Sequence, residues 1–147
     1  MSSLKEALLA EGKRQAVLKD ATLVLDGEVA SKSGLSGIAV KAAYAIVKAI
    51  KPGVIPESID ALLDEFVERL EPFYAAHAAS RGGTLTEYFV SHGAEIADAL
   101  LGITDARAAR SKNNTMRKAY EKLRPQGKKH VQEAMPRVAQ LVERHVA

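Results

Sequence analysis

Apolar residues recur at steps of three and four along almost the whole chain, and this spacing limits the folds open to it. The clearest stripe consists of Ile59, Leu62, Leu63, Phe66, Leu70, Phe73 and His77. Such spacing places side chains on one face of an α-helix, whereas a half-buried strand alternates at every second residue. Because no segment shows convincing alternation, we expect an all-α fold: one domain over residues 1–147, built as a bundle of about seven or eight helices.

Capping and breaking residues divide this pattern into helices. Ser3 with Glu6, and Thr84 with Glu87, have the three-residue spacing of a capping box. The segment Lys51-Pro52-Gly53 predicts a stop between the third and fourth helices, because proline disfavours helix at the residue before it.

Other glycines and prolines predict interruptions. We expect residues 34–37, with two glycines, to separate the second helix from the third, and Gly93 to end the fifth. Pro72 and Pro136 lie inside apolar patterns, so we expect Pro72 to kink or break its helix and Pro136 to bend its helix.

Charge is distributed unevenly along the 147 residues, although the net charge is only +3. Residues 51–105 contain three Lys/Arg and ten Asp/Glu, whereas residues 106–147 contain eleven and three. A candidate polyanion surface therefore consists of Arg107, Arg110, Lys112, Arg117, Lys118, Lys122, Arg124, Lys128 and Lys129. Nucleic acid or anionic lipid would be its partner. The alternative is that these are solvated helix faces, or that the acidic segment neutralises them in the fold or across an oligomer.

The helix start after residue 31 is the candidate site for a small anion. Its backbone N–H groups, hydroxyls and one ammonium come from Lys32, Ser33, Gly34, Ser36 and Gly37. The segment lacks the Gly-Lys-Ser/Thr ending of a P-loop, so nucleotide binding is not indicated. The alternative is a helix break with close packing around glycine.

Residue types needed for several chemistries are missing. The chain has no Cys, and none of its four His follows a Glu by three positions, the spacing of di-iron bundles. Neither a Gly-x-Ser-x-Gly elbow nor a His-Glu-x-x-His motif occurs. We expect no catalytic residue, no metal site, no cofactor and no enzymatic activity.

The third helix is apolar nearly all round, with one narrow polar stripe that contains Lys41, Tyr44 and Lys48. It is either a central bundle helix or an amphipathic segment that opens onto a lipid surface or a partner helix. Its lysines interrupt the run from 35 to 50, so no transmembrane span is expected. Glu6 and Glu11 oppose a signal peptide, which favours a cytoplasmic location.

Several stretches carry a family resemblance: Gly34-Leu-Ser-Gly37, KAAYAIVKAIKPGVIP at 41–56, LEPF at 70–73, ADALLGITDARAARS at 97–111, KAYEKLR at 118–124, and the pattern around Pro136. In these stretches the chain resembles a group of small uncharacterised helical proteins of actinobacteria. The resemblance implies a one-domain, all-helical, cytoplasmic protein, and it brings no established activity, cofactor or site residue.

Three functions follow as hypotheses. The first is a non-enzymatic interaction or scaffold protein, which binds an unknown protein partner or self-associates and exposes an apolar patch of more than a few hundred Å². The second is a polyanion-binding module that uses the basic C-terminal third. The third is a carrier of a small apolar ligand, held in a cavity between the third, fourth and eighth helices.

Overall fold

The computed structural model describes residues 3–80 and 82–146, which contain eight α-helices and one 3-10 turn and no strand. The helices are α1 (Leu4–Leu9), α2 (Arg14–Ser31), α3 (Gly34–Lys48), α4 (Val54–Ala79), α5 (Leu85–Ser91), α6 (Gly93–Arg110), α7 (Asn114–Leu123) and α8 (Gly127–Val146). The 3-10 turn Arg124–Gln126 joins α7 to α8. The prediction of an all-α bundle is confirmed.

Side-chain caps start three of these helices. The Ser3 hydroxyl accepts a hydrogen bond from the Glu6 N–H at 3.1 Å, and the Thr84 hydroxyl accepts one from the Glu87 N–H at 3.0 Å. Asn113 caps α7 in the same way. Each cap satisfies an N–H group that has no partner within its own helix, so the local sequence alone determines where these helices begin.

The predicted interruption at residues 34–37 is wrong, because these residues form the first turn of α3. Lys32 and Ser33 alone separate α2 from α3. Gly34 has a φ of +72°, which lets the chain turn sharply at the start of the helix. Gly37 is buried, and a Cβ atom built on it would lie 2.7 Å from the backbone carbonyl carbon of Lys32. The glycines therefore allow close packing.

Gly93 directly follows His92, the C-cap of α5, so the helix ends where the sequence predicted. That helix ends at Ser91, and Gly93 is the first residue of α6. Gly93 is buried, and a Cβ there would make ordinary contacts with Gln132 and Met135 of α8. Contact with α8 therefore does not require glycine at this position.

Neither proline breaks its helix, so a break at Pro72 is excluded, and a kink at Pro72 and a bend at Pro136 stay predictions. Helix α4 continues through Pro72 to Ala79, and α8 continues through Pro136 to Val146. Proline removes one helical hydrogen bond, but the residues on each side are held by tertiary contacts. Leu70 and Met135, which precede the two prolines, are both buried in the core.

The core surrounds α8, which packs against α1, α2, α5 and α6. Its buried residues are Leu4, Leu8, Val17, Leu63, Val67, Leu70, Leu85, Phe89, Ile96, Met135, Ala139, Leu141 and Val142. The apolar stripes predicted for α4 and α8 contribute Leu63, Leu70, Met135 and Val142 to this set.

Helix α3 lies at the edge of the bundle, which contradicts the interpretation as a central helix. Leu35, Ile38 and Ile46 are 88%, 66% and 47% exposed. The opposite side of α3, with Val40 and Ala43, is buried. Even so, none of the helices within residues 3–80 and 82–146 combines the length and hydropathy needed to cross a membrane.

Replacing Gly37 by alanine should destabilise the fold by about 1–2 kcal/mol, because the added methyl group forces α3 away from the end of α2. Gly102→Ala is the matched control, since nothing lies within 4 Å of a Cβ at that helical position. It should stabilise the protein by about 0.5–1 kcal/mol. Urea unfolding measures both changes, and equal effects of the two substitutions would contradict the packing described here.

Candidate functional site

A cavity of about 480 Å³, partly open to solvent, lies between the helices. Its wall consists mainly of aliphatic side chains from α2, α4, α6 and α8, with smaller contributions from α1, α3 and α7. Ligand pockets of proteins commonly measure about 300–1,000 Å³ and are mostly apolar. The size and the lining are therefore those of a small-molecule site.

Rows of apolar side chains on α2, α4 and α8 form most of this wall. Residues four and three apart on α2, such as Val17, Ala21 and Val24, face Leu63 and Val67 of α4 and the apolar side of α8. Ala21 of α2, Ala134 of α8 and Gly127 lie at wall positions where larger side chains would occupy the space. Helix α3 contributes only Val40 among the described residues.

Polar groups are confined to one end of the cavity. They are Glu28, Lys32, Thr104, Tyr120, Arg124 and His130. Helix α8 begins at this end, near Gly127, and runs toward the opposite end, where Leu141 and Val142 line the wall. Leu8 and Val17 from the start of the chain also line it. Almost all of the surface that the cavity exposes is nevertheless apolar, because these polar groups bond to one another or to neighbouring groups.

A buried charge network fastens α2 to α8 beside this polar end. The Lys32 ammonium lies 3.0 Å from Glu28 Oε2 and 2.9 Å from Glu133 Oε1. Arg137 Nη1 lies 2.7 Å from the other oxygen of Glu28. Only 8% of the Lys32 side chain and 10% of that of Glu28 are exposed. Because two cations face two carboxylates, each buried charge is compensated.

The network shifts the protonation of its more exposed carboxylate. The hydrogen bond from Lys32 is the main reason why the pKa of Glu133 lies below its ordinary value, and burial opposes the shift. Sequence reasoning did not identify Glu28, Glu133 or Arg137 as site residues. The sequence did contain one signal that could have identified them. Glu28 and Lys32 are four residues apart, as are Glu133 and Arg137, and this spacing places each pair on one helix face.

A second cluster joins α6 to α7 at the same end of the cavity. Arg124 donates to both carboxylate oxygens of Asp105, at 2.8 and 3.1 Å, and Tyr120 donates to the same carboxylate. The Tyr120 hydroxyl also lies 2.7 Å from the hydroxyl of Thr104. The hydrogen bonds from Arg124 and Tyr120 lower the pKa of Asp105, and burial raises that of Tyr120. At neutral pH the carboxylate is thus ionised and the phenol is neutral.

His130 has one nitrogen without a hydrogen-bond partner. Its Nε2 lies 2.8 Å from the Ser36 hydroxyl, whereas the buried Nδ1 has no hydrogen bond. Glu133 Oε1 is 3.4 Å from that Nδ1, which is close enough for electrostatic attraction but not for a well-formed hydrogen bond. Within residues 3–80 and 82–146, no three His, Asp or Glu side chains come together as a metal site would require.

The residues of the candidate anion site meet as a helix junction. Lys32 is engaged by two carboxylates, Ser36 bonds to His130, and Gly37 packs on the Lys32 backbone. Ser33 and Gly34 are exposed at the start of α3. This arrangement favours the close-packing alternative, and anion binding stays a prediction.

The candidate polyanion surface is divided between paired and unpaired cations. Arg107 lies 2.8 Å from Glu65 of the acidic helix α4, Arg124 binds Asp105, and Lys128 lies 3.1 Å from Asp98. The others are exposed and have no ion pair among the described residues: Arg110, Lys112, Arg117, Lys118, Lys122 and Lys129. Intramolecular neutralisation therefore accounts for three of the nine cations.

Lys32→Met should lower the free energy of unfolding by about 3 kcal/mol at neutral pH, because it removes the cation between two carboxylates and leaves Glu28 buried. The acid dependence should change as well. Because the folded state lowers the pKa of Glu133, its ionised carboxylate stabilises the fold at pH values above its ordinary pKa of 4.5. This stabilisation is lost as the pH falls through the pKa of Glu133 in the folded state. The variant should therefore lose less stability than the wild type on acidification.

Chemical denaturation at several pH values provides the measurement, and Lys5→Met, at an exposed position of α1, provides the control. Lys5→Met should change stability by less than about 0.5 kcal/mol. Identical stability of the Lys32 variant and this control would show that the charge network contributes nothing.

Comparison with known proteins identifies the family of this chain. No curated protein and no solved structure matches it. A family of unknown function, DUF6918, matches residues 4–146, in agreement with the resemblance to uncharacterised helical proteins. Because the match covers nearly the whole sequence, the chain belongs to the DUF6918 family of unknown function.

Proposed function

We propose that this protein is a carrier for a single-chain amphiphile, such as a fatty acid. The tail would lie among the aliphatic side chains of the cavity, and the head group would lie at the end lined by Lys32, Tyr120 and His130. The observation that carries the proposal is the apolar cavity of about 480 Å³, which residues with polar side chains border at one end. Bound ligands are typically fixed by a few polar groups in an otherwise apolar pocket.

The cavity volume supports a ligand larger than a single ring. An engineered apolar cavity of roughly 150 Å³ stays dry and binds benzene. At about 24 cal/mol per Å³, an enclosed and empty apolar cavity of this size would cost on the order of 10 kcal/mol, comparable to the whole stability of a domain. The opening to solvent reduces that cost. A ligand tail that displaces water from the aliphatic wall would remove it.

The charge balance at the polar end favours a small head group with a single charge. Lys32 is neutralised by Glu28 and Glu133, and Arg124 is neutralised by Asp105. A highly charged phosphate would therefore find no uncompensated cation there. A carboxyl group carries a single charge and needs only one or two donors, so it requires less compensation than a phosphate does.

The two other functions predicted from the sequence remain proposals. An interaction or scaffold role is supported by the exposed apolar residues Leu35, Ile38 and Ile46 on α3. Polyanion binding is supported by the unpaired cations of α7, Lys118 and Lys122 among them. Neither role requires the cavity, and neither conflicts with it.

A substitution that fills the cavity should abolish carrier activity. Ala134 of α8 lines the wall, so Ala134→Phe should weaken binding of a fluorescent fatty acid by at least about tenfold. With the wild type, ligand at about a hundred times its Kd should add about 2.7 kcal/mol of stability and raise Tm by roughly 5–10 °C. Ligand titration and thermal unfolding measure these effects, and native mass spectrometry of protein from its own host should show a retained small molecule.

The matched control is Ala94→Phe, the same change at an exposed position of α6 outside the cavity wall. It should leave fatty acid binding unchanged. The carrier proposal fails if the wild type neither retains a small molecule nor binds the fatty acid, or if both phenylalanine variants lose binding equally.

A further inference from the structure

We infer that one face of the protein docks onto an anionic membrane surface. The face is formed by Leu35, Ile38, Lys41, Ile46 and Lys48 of α3 together with Lys118 and Lys122 of α7, and is here named the α3–α7 face. It combines exposed apolar side chains with uncompensated cations on two helices that pack against each other.

The apolar part of this face lies on α3. Leu35 is 88% exposed, Ile38 is 66% exposed and Ile46 is 47% exposed. At 100° per residue, these side chains share one side of the helix with the exposed Ala42 and Ala45. The opposite side of α3 is buried. This apolar helix therefore packs one side against the protein and exposes the other to solvent. Three large exposed apolar residues on one short helix form a patch, which marks an interaction site.

Cations flank this patch on α3, and exposed cations also occur on α7, the helix that packs against α3. Helix α3 contains Lys41 and Lys48 and no carboxylate, and the exposed Lys48 ammonium lies 5.3 Å from the centre of the Tyr44 ring. On α7, Lys118 and Lys122 are four residues apart and share one exposed side. Among the described residues, none of these four lysines forms an ion pair with a carboxylate. Lys32, Lys51 and Lys128 do form such pairs.

This combination fits an anionic bilayer better than it fits two other occupants. A second copy placed by a two-fold axis would bring the same patch of both copies together, and α3 has no carboxylate with which to pair the lysines gathered there. A nucleic acid would neutralise the cations but would leave Leu35 and Ile38 in contact with water or phosphate. At a bilayer surface the apolar side chains enter the boundary between head groups and acyl chains, while lysines snorkel to anionic head groups.

The face also lies directly outside the cavity. Val40 on the inner side of α3 and Tyr120 and Leu123 of α7 line the cavity wall, so the same two helices separate the cavity from the proposed membrane surface. Docking does not depend on the proposed carrier function, because it uses only the outer side of these helices. A vesicle-binding experiment without any cavity ligand therefore tests it independently.

The experiment is flotation of the full chain with vesicles of phosphatidylcholine alone and of phosphatidylcholine mixed with phosphatidylglycerol. Binding is expected to the mixed vesicles and should weaken as salt rises. Ile38→Glu combined with Ile46→Glu should reduce binding at least about tenfold, because it places charge where side chains enter the bilayer. Lys118→Gln with Lys122→Gln should reduce it by roughly tenfold or more, since each lysine near an anionic surface adds roughly fivefold.

Two control variants match these changes. Val90→Glu alters another exposed apolar residue, 50% exposed on α5 and outside the face, and should leave vesicle binding unchanged. Lys5→Gln with Lys19→Gln removes two exposed lysines from α1 and α2 and should have less than about a twofold effect. All the substituted positions are exposed, so circular dichroism should report an unchanged fold.

The inference would be overturned by equal binding to both kinds of vesicle, by vesicle binding that the α3 variant retains, or by a dimer in solution that this variant dissociates. The last would assign the face to a second copy. Salt-sensitive binding to nucleic acid, without vesicle binding, would assign the cations to a nucleic acid. The cavity-filling variant Ala134→Phe should still bind vesicles, which separates this inference from the carrier proposal.

Discussion

The Lys32 ammonium lies between the carboxylates of Glu28 and Glu133, and the other features of the candidate site are arranged around this contact. It joins the end of α2 to α8, and the backbone of the same residue supports the first turn of α3 through Gly37. Ser36 then reaches His130 at the polar end of the cavity. A buried charge persists only when its desolvation is compensated, so these helices cannot separate without exposing or unpairing it.

Helix α3 has apolar side chains both on the side that packs against the protein and on the side that is exposed. Its inner side, with Gly37, Val40 and Ala43, packs on the bundle and contributes to the cavity wall. Its outer side presents Leu35 and Ile38 to the surroundings. An apolar cavity and an unpaired apolar surface on the two sides of one helix suit a protein that takes up an amphiphile and meets a lipid surface.

Local chemistry explains which predictions succeeded. The caps at Ser3 and Thr84 involve groups three residues apart, so a short sequence window contains all the atoms concerned. Helix α4 continues through Pro72, where a break was one predicted outcome, because neighbouring residues such as Leu70 are buried against distant helices. There a contact between residues far apart in the sequence outweighed a local preference.

The sequence by itself determined that the chain is helical, where several helices begin, and that its charges are segregated, because these properties depend on periodicity and on neighbouring residues. The tertiary structure alone decided which side of α3 is covered, which cations are neutralised, and that stripes from several helices leave a space between them. A cavity is bounded by side chains distant in sequence, such as Leu8 and Val142, so no local pattern records it. The chain belongs to a family of unknown function, and this membership does not show the cavity, the exposed side of α3 or the neutralised cations.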